Sequence, residues 1–138
     1  MNFSVRDVAM FRLRANRDAR GELTVIELAQ TVPFPVVRMF YIRDVPATMA
    51  RGGHAHRVCN QFLVCQTGQI RVVVFDGEQS AEFALHAGDA IWIPPTLYAT
   101  ETFEEAGSML MVLCDRPYEA LDYVNGLDLF KQFRASRR

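Results

Sequence analysis

Residues 51–69 read RGGHAHRVCNQFLVCQTGQ. Arg51 and the glycine pair Gly52-Gly53 lead into His-Ala-His, the segment runs on as an apolar, strand-like stretch, and it breaks at Thr67-Gly68. Side chains two apart on a strand point to the same face. His54 and His56 therefore share one wall, which takes two of the three histidines in the chain. Two adjacent glycines suit a backbone held close to a ligand; the plain alternative is a polar pair on an exposed strand face.

Working outward, similar short runs recur, each closed by turn residues. Upstream, residues 4–14 predict a first strand. Arg17 to Glu22 predicts a polar turn, Leu23 to Leu28 a strand, and Val36 to Ile42 another after Pro33 and Pro35. Downstream, Ile70 to Phe75 ends at Asp76-Gly77, a strong hairpin dipeptide. Ala81 to Leu85, Ala90 to Ile93, Leu97 to Phe103 and Met109 to Cys114 continue the series. Only the end reads as helical, at Tyr118 to Tyr123 and Leu127 to Phe133. Short strands with turns every eight to twelve residues predict one all-β sandwich or barrel over residues 1–138, with a short C-terminal helix.

Composition narrows the functions. Half of the 138 residues are apolar and 22% are charged, which predicts an ordered globule. A net charge of −1 offers no footprint for nucleic acid, and the basic ending from Arg134 to Arg138 is short enough to be a solvated tail. Cys59, Cys65 and Cys114 form no CxxC pair, which fits reduced thiols in the cytoplasm better than a zinc site. The start carries no signal-peptide core and no run of 18 apolar residues occurs, so neither secretion nor a membrane is expected.

The His-x-His on a strand, followed by Gly88 and Pro94 in Gly-x5-Pro spacing, resembles the cupin jelly roll (the double-stranded β-helix). Metal-binding cupins supply two histidines and a glutamate from the first motif and a third histidine from the second. Here His54 and His56 match, but the glutamate position carries Asn60 or Gln61 and the third histidine position carries Ala99. Amides are poor donors for a transition metal that wants three or four good ones, so no metal and no cofactor are expected.

The resemblance narrows further. Val32-Pro33-Phe34, Arg38, Phe40-Tyr41-Ile42, Arg51-Gly52-Gly53-His54-Ala55-His56, Gln61 and Asp76-Gly77 are similar to the dTDP-sugar 3,4-ketoisomerases. So are Ile93-Pro94-Pro95, Phe103, Val112-Leu113, Pro117-Tyr118 and Asp122-Tyr123. The likeness covers roughly residues 23 to 133.

That resemblance implies a metal-free isomerase that moves the carbonyl of a dTDP-4-keto-6-deoxyhexose from C4 to C3, ahead of 3-amino sugar synthesis. It also implies a homodimer exchanging N-terminal strands. His56 is the expected main proton carrier and His54 its partner, although spacing alone does not rank them; an imidazole both takes and returns a proton near neutrality. Tyr41 and Arg51 are the candidates for orienting hydroxyls and stabilising an oxyanion or the diphosphate, with a core aromatic and a surface ion pair as their plain alternatives. Arg38, Arg43, Gln61, Trp92 and Tyr98 are candidate substrate contacts; Arg38 and Arg43 would otherwise be a solvated face, and Trp92 a core residue. A nucleotide-sugar epimerase, a non-catalytic sugar-binding cupin and a metal-dependent oxygenase are the competing readings.

Overall fold

The computed structural model describes residues 1–137. In chain order it runs β1 (Ala9–Arg12), β2 (Arg14–Asp18), β3 (Gly21–Val25), α1 (Leu28–Thr31), β4 (Arg38–Ile42), β5 (Met49–His56), β6 (Gln61–Thr67), β7 (Gln69–Phe75), β8 (Ser80–His86), β9 (Asp89–Ile93), β10 (Tyr98–Phe103), β11 (Met109–Cys114), β12 (Tyr123–Asn125) and α2 (Leu127–Ala135). Two five-stranded sheets, ordered β1-β9-β6-β11-β4 and β12-β5-β10-β7-β8, lie against each other, and β2 with β3 forms a separate hairpin. The expected all-β jelly roll with a short C-terminal helix is the architecture found.

Three apolar layers hold it. Between the sheets, Leu63 and Cys65 of β6, Ile70, Val72 and Val74 of β7, and Leu110, Val112 and Cys114 of β11 form the main core. On the outer face of the first sheet, Phe62, Val64 and Leu113 pack under Val32, Phe34 and Val36 from the segment after α1. On the outer face of the second, Ala55 and Val124 meet Phe130 and Phe133 of α2. Phe130 is wholly buried, and burying such a ring stabilises by on the order of 2 kcal/mol. Strands covered on both faces lose the polar alternation of a half-exposed sheet, which is why Phe62-Leu63-Val64-Cys65 reads as one apolar run.

Several boundaries differ from those predicted. Residues 4–14 are not one strand: Ser4 caps a 3-10 turn at Val5–Asp7, with the Asp7 carboxylate returning a bond to the Ser4 N–H, and β1 is confined to Ala9–Arg12. The strand expected over Leu23 to Leu28 stops at Val25, and Leu28–Thr31 forms the short helix α1. Tyr118 to Tyr123 is not helical beyond a 3-10 turn at Ala120–Asp122, and Tyr123 opens a strand instead. The histidine segment also breaks after His56, since residues 57–60 form a loop before β6.

Gly52 and Gly53 are required where they stand. Along β5, Arg51 lies opposite Glu101 and Gly52 opposite Thr100, while His54 lies opposite Ala99, so one extra residue bulges from the strand. Both glycines have positive φ, +86° and +77°, a region L side chains avoid. The bulge resets the two-residue period, which places Arg51 on the same face as His54 and His56. A Cβ at Gly52 would lie 2.8 Å from a Glu101 carboxylate oxygen and 2.9 Å from the Ala99 carbonyl.

Candidate functional site

The inward faces of β4, β6 and β11 are apolar until their last register. There Cys114 sits between Arg38 and Gln61 as their direct pairing partner. Facing them, β5 contributes His54 and His56, and β12 lays Tyr123 opposite His56 and Asn125 opposite His54. Tyr123 and Asn125 flank the outward, core-facing Val124, so α2 docking on Val124 turns Tyr123 inward. The Tyr123 ring lies 4.4 Å from the His56 ring and 5.0 Å from that of His54, and the two imidazoles are 5.2 Å apart, edge on.

His56 is held from behind. Its Nδ1 lies 2.7 Å from Asp122 Oδ2, both side chains being buried. The other Asp122 oxygen accepts the Val58 N–H at 2.8 Å, and the Asp122 carbonyl accepts the Arg57 N–H. A carboxylate at Nδ1 selects the tautomer with its proton there, leaving the Nε2 lone pair as the basic position. His56 Nε2 is buried and meets no hydrogen-bond partner among the described residues. Burial lowers the His56 pKa, with Asp122 opposing. For His54 burial and then the neighbouring His56 bring it down to about 4. Both rings are thus kept from charging at neutral pH.

Arg38 forms the opposite wall. Its guanidinium lies over the Phe40 and Tyr118 rings at 5.6 and 5.8 Å, and Nη2 donates to Cys114 Sγ at 3.5 Å. Its Nε, like His56 Nε2, is buried without a partner among the described residues. Gln61 Nε2 reaches toward the same sulfur at 4.0 Å. Glu101 completes the inner face of β10 between Ala99 and Phe103. Burial pushes its carboxyl up to about 7 against the pull of Arg51, so it carries an exchangeable proton near neutrality.

The structure brings His54, His56, Arg38 and Gln61 together and sets Arg51 on the same face at the exposed rim. Four expected members lie elsewhere. Tyr41 is 56% exposed because Phe40 and Ile42 take the inward positions of β4, so it faces away from the histidines of its own chain. Arg43 shares that outer face, stacked on Tyr41 and 3.7 Å from Asp44. Trp92 lies in the outer apolar layer and donates to Asn60 Oδ1 at 2.9 Å. Tyr98 packs on Phe130 beneath α2. None of the last three faces the histidine pair. Asp122, Cys114 and Glu101 were not expected as site residues; Asp122-Tyr123 stood in the sequence only as part of the family pattern.

For a metal, the cupin tetrad is incomplete in space as well as in sequence: Ala99 presents a methyl group directly across from His54, and Asn60 is held by Asp115 at 2.8 and 2.9 Å. A different set, His56, Cys59 and Asp122, has donor atoms within 4.8 Å of one another. Two of those three are already bonded to each other.

The FdtA family model, described as WxcM-like, C-terminal, matches residues 6–135. The chain belongs to that family. A curated relative from Aneurinibacillus thermoaerophilus, TDP-4-oxo-6-deoxy-alpha-D-glucose-3,4-oxoisomerase, is 33% identical over 125 residues, covering 86% of each chain. Among solved structures, the sugar 3,4-ketoisomerase QdtA from Thermoanaerobacterium thermosaccharolyticum in complex with TDP superposes with a TM-score of 0.88 at 25% identity, covering 96% of this chain and 98% of that one. A 3,4-ketoisomerase from Helicobacter canadensis gives a TM-score of 0.87 at 26% identity, covering 94% and 98%.

Proposed function

We propose that this FdtA-family chain is a TDP-sugar 3,4-ketoisomerase in which His56 carries the proton between adjacent ring carbons. The observation that supports this most directly is a buried imidazole, fixed by Asp122 at Nδ1, whose Nε2 has no partner among the described residues. Such a nitrogen is a general base aimed by a second group, the arrangement proton abstraction next to a carbonyl needs.

The steps balance. His56 Nε2 takes the proton from C3, the C3–H electron pair becomes the C3–C4 double bond, and negative charge moves onto the C4 oxygen. The unpaired Nε–H of Arg38 is the donor suited to that oxygen. The C4 oxygen is protonated to the enediol, the C3 hydroxyl gives up its proton and becomes the carbonyl, and the imidazolium returns its proton to C4. One proton has thus moved from C3 to C4 and one from the C3 oxygen to the C4 oxygen. The hydroxyl protons pass through the neighbouring exchangeable groups, His54 and Glu101. Asp122 stabilises the transient imidazolium and Tyr123 limits its rotation. The Asp122 carboxylate behind the ring supports His56 over His54 as the base, since His54 has no such partner among the described residues. Arg51, at the rim, suits the diphosphate.

A homodimer exchanging N-terminal strands is part of the proposal. The β2–β3 hairpin belongs to neither large sheet, β2 is exposed throughout, and β4, an edge strand, shows Met39 and Tyr41 to the outside. Three buried cysteines without disulfides accord with a cytoplasmic enzyme; among the described residues no helix is long and apolar enough to cross a membrane. The product would feed an aminotransferase making a 3-amino sugar. The test is NMR of TDP-4-keto-6-deoxyglucose incubated with the protein. A product carbonyl at C3 supports the proposal, a carbonyl retained at C4 with an inverted neighbour makes the chain an epimerase, and unchanged sugar leaves a binding protein.

A further inference from the structure

Near the histidines lies a buried sulfur that the reaction above does not use. Cys114 is wholly buried, yet the side chains around its sulfur are donors: Arg38 Nη2 at 3.5 Å and Gln61 Nε2 at 4.0 Å. The neighbouring Cys59 thiol donates to the Asn60 carbonyl at 3.3 Å. Arg38 makes no ion pair with any carboxylate among the described residues, although its Nε is buried. Among the described residues the partners of its guanidinium are this sulfur and the Tyr123 hydroxyl, and a thiol, ordinarily ionising at about 8.5 against about 10 for a phenol, is the more readily charged of the two.

We propose that Cys114 is a thiolate in the working protein and is the counter-ion that orients Arg38, leaving the Nε edge of the guanidinium for the substrate oxygen. Cys114 is then a positioning residue that acts through Arg38, and its link to turnover rests on the ketoisomerase reading. The electrostatics agree: interaction with Cys59 lowers the Cys114 pKa, burial opposes, and Arg38 and Gln61 add to the lowering, while Cys59 is pushed up and remains a thiol. Cys65, raised to about 12 by burial, has no such surroundings. Of the groups facing the sulfur from other strands, Arg38 on β4 and Gln61 on β6 favour the anion, Tyr123 on β12 is neutral, and His56 on β5 is uncharged.

Thiolates absorb near 240 nm, so a pH titration of the folded protein between 5 and 9 reads the charge without substrate. The expected result is one thiolate appearing with a midpoint well below the ordinary thiol range of about 8.5, unchanged by Cys65→Ser, absent in Cys114→Ser, and moved up by about one unit or more in Arg38→Met. Ionisation only near the ordinary thiol range of about 8.5, or a midpoint indifferent to Arg38→Met, would overturn the proposal. In turnover, Cys114→Ser should lower kcat about tenfold with KM little changed, as when a transition-state contact is loosened; an unchanged kcat would remove the positioning role. Since the absorbance needs no sugar, its failure is distinguishable from failure of the ketoisomerase reading.

Discussion

The same strands build two different ends of one barrel. At one end β4, β11 and β6 turn inward Arg38, Cys114 and Gln61; two residues further along they turn inward Phe40, Val112 and Leu63. The backbone pairing is continuous through both. What differs is that the apolar end contributes by burial, whereas the polar end keeps His56 Nε2 and Arg38 Nε buried and unpaired, each at a desolvation cost of about 1–3 kcal/mol. Chemistry has been placed at the last register of the strands, where that cost is confined to one layer and the layers below supply the stability.

That division is breakable by substitution. The largest effect is expected at the polar end: His56→Asn should lower kcat by roughly a hundredfold to ten-thousandfold, while the melting temperature in differential scanning fluorimetry stays within a few degrees. A melting temperature that collapsed with the activity would erase the distinction. Leu63→Ala, one layer down, should do the reverse. It should cost about 2–5 kcal/mol in urea denaturation and leave kcat per folded molecule near normal. Asp122→Asn sharpens the comparison, because it removes the charge behind His56 and permits the wrong tautomer. A kcat loss of roughly tenfold to a hundredfold is expected, smaller than that of His56→Asn, and a wild-type rate would detach Asp122 from the site.

The pH behaviour of Glu101 separates the ends more finely. Its carboxyl stands near 7 in the folded chain against an ordinary 4.5, so between those values the folded state binds more protons than the unfolded. Its contribution to stability is present at low pH and is lost as pH rises through about 7. Glu101→Gln should therefore be more stable relative to wild type at pH 8 than at pH 5 by urea denaturation; the same difference at both pH values would contradict the assignment. The smallest effect is expected at Tyr41: Tyr41→Phe, on the outer face, should leave the kcat of the protein unchanged within about twofold.

How far these ends were legible in the sequence follows from the same geometry. The His-x-His pair was readable because both neighbours in its period, Ala55 and Arg57, differ plainly from histidine, so the shared wall needed no register. The outward face of Tyr41 was not legible because Met39-Phe40-Tyr41-Ile42 is apolar or aromatic at every position, and a shift of one residue exchanges the two faces without leaving a mark in composition. Trp92 hid for the same reason between Ile91 and Ile93, with both faces of β9 covered. Arg51 escaped that error only through the bulge, since odd and even positions would otherwise have parted it from His54. Asp122 lies 66 residues from His56 and meets it because β12 pairs with β5, a contact no local pattern announces. Glu101 and Cys114 look ordinary in sequence, and their burial among particular partners is what changes their chemistry.

The proposed reaction depends on His56 acting as an unligated base at C3. The most direct test is loss of the C3 proton of TDP-4-keto-6-deoxyglucose in D2O with deuterium arriving at C4 of the product, followed by NMR for wild type and His56→Asn, with TDP binding measured in parallel. Wild type should incorporate label as the carbonyl moves, and the variant should bind TDP yet exchange at least about a hundredfold more slowly. Exchange by the variant at the wild-type rate would contradict the account.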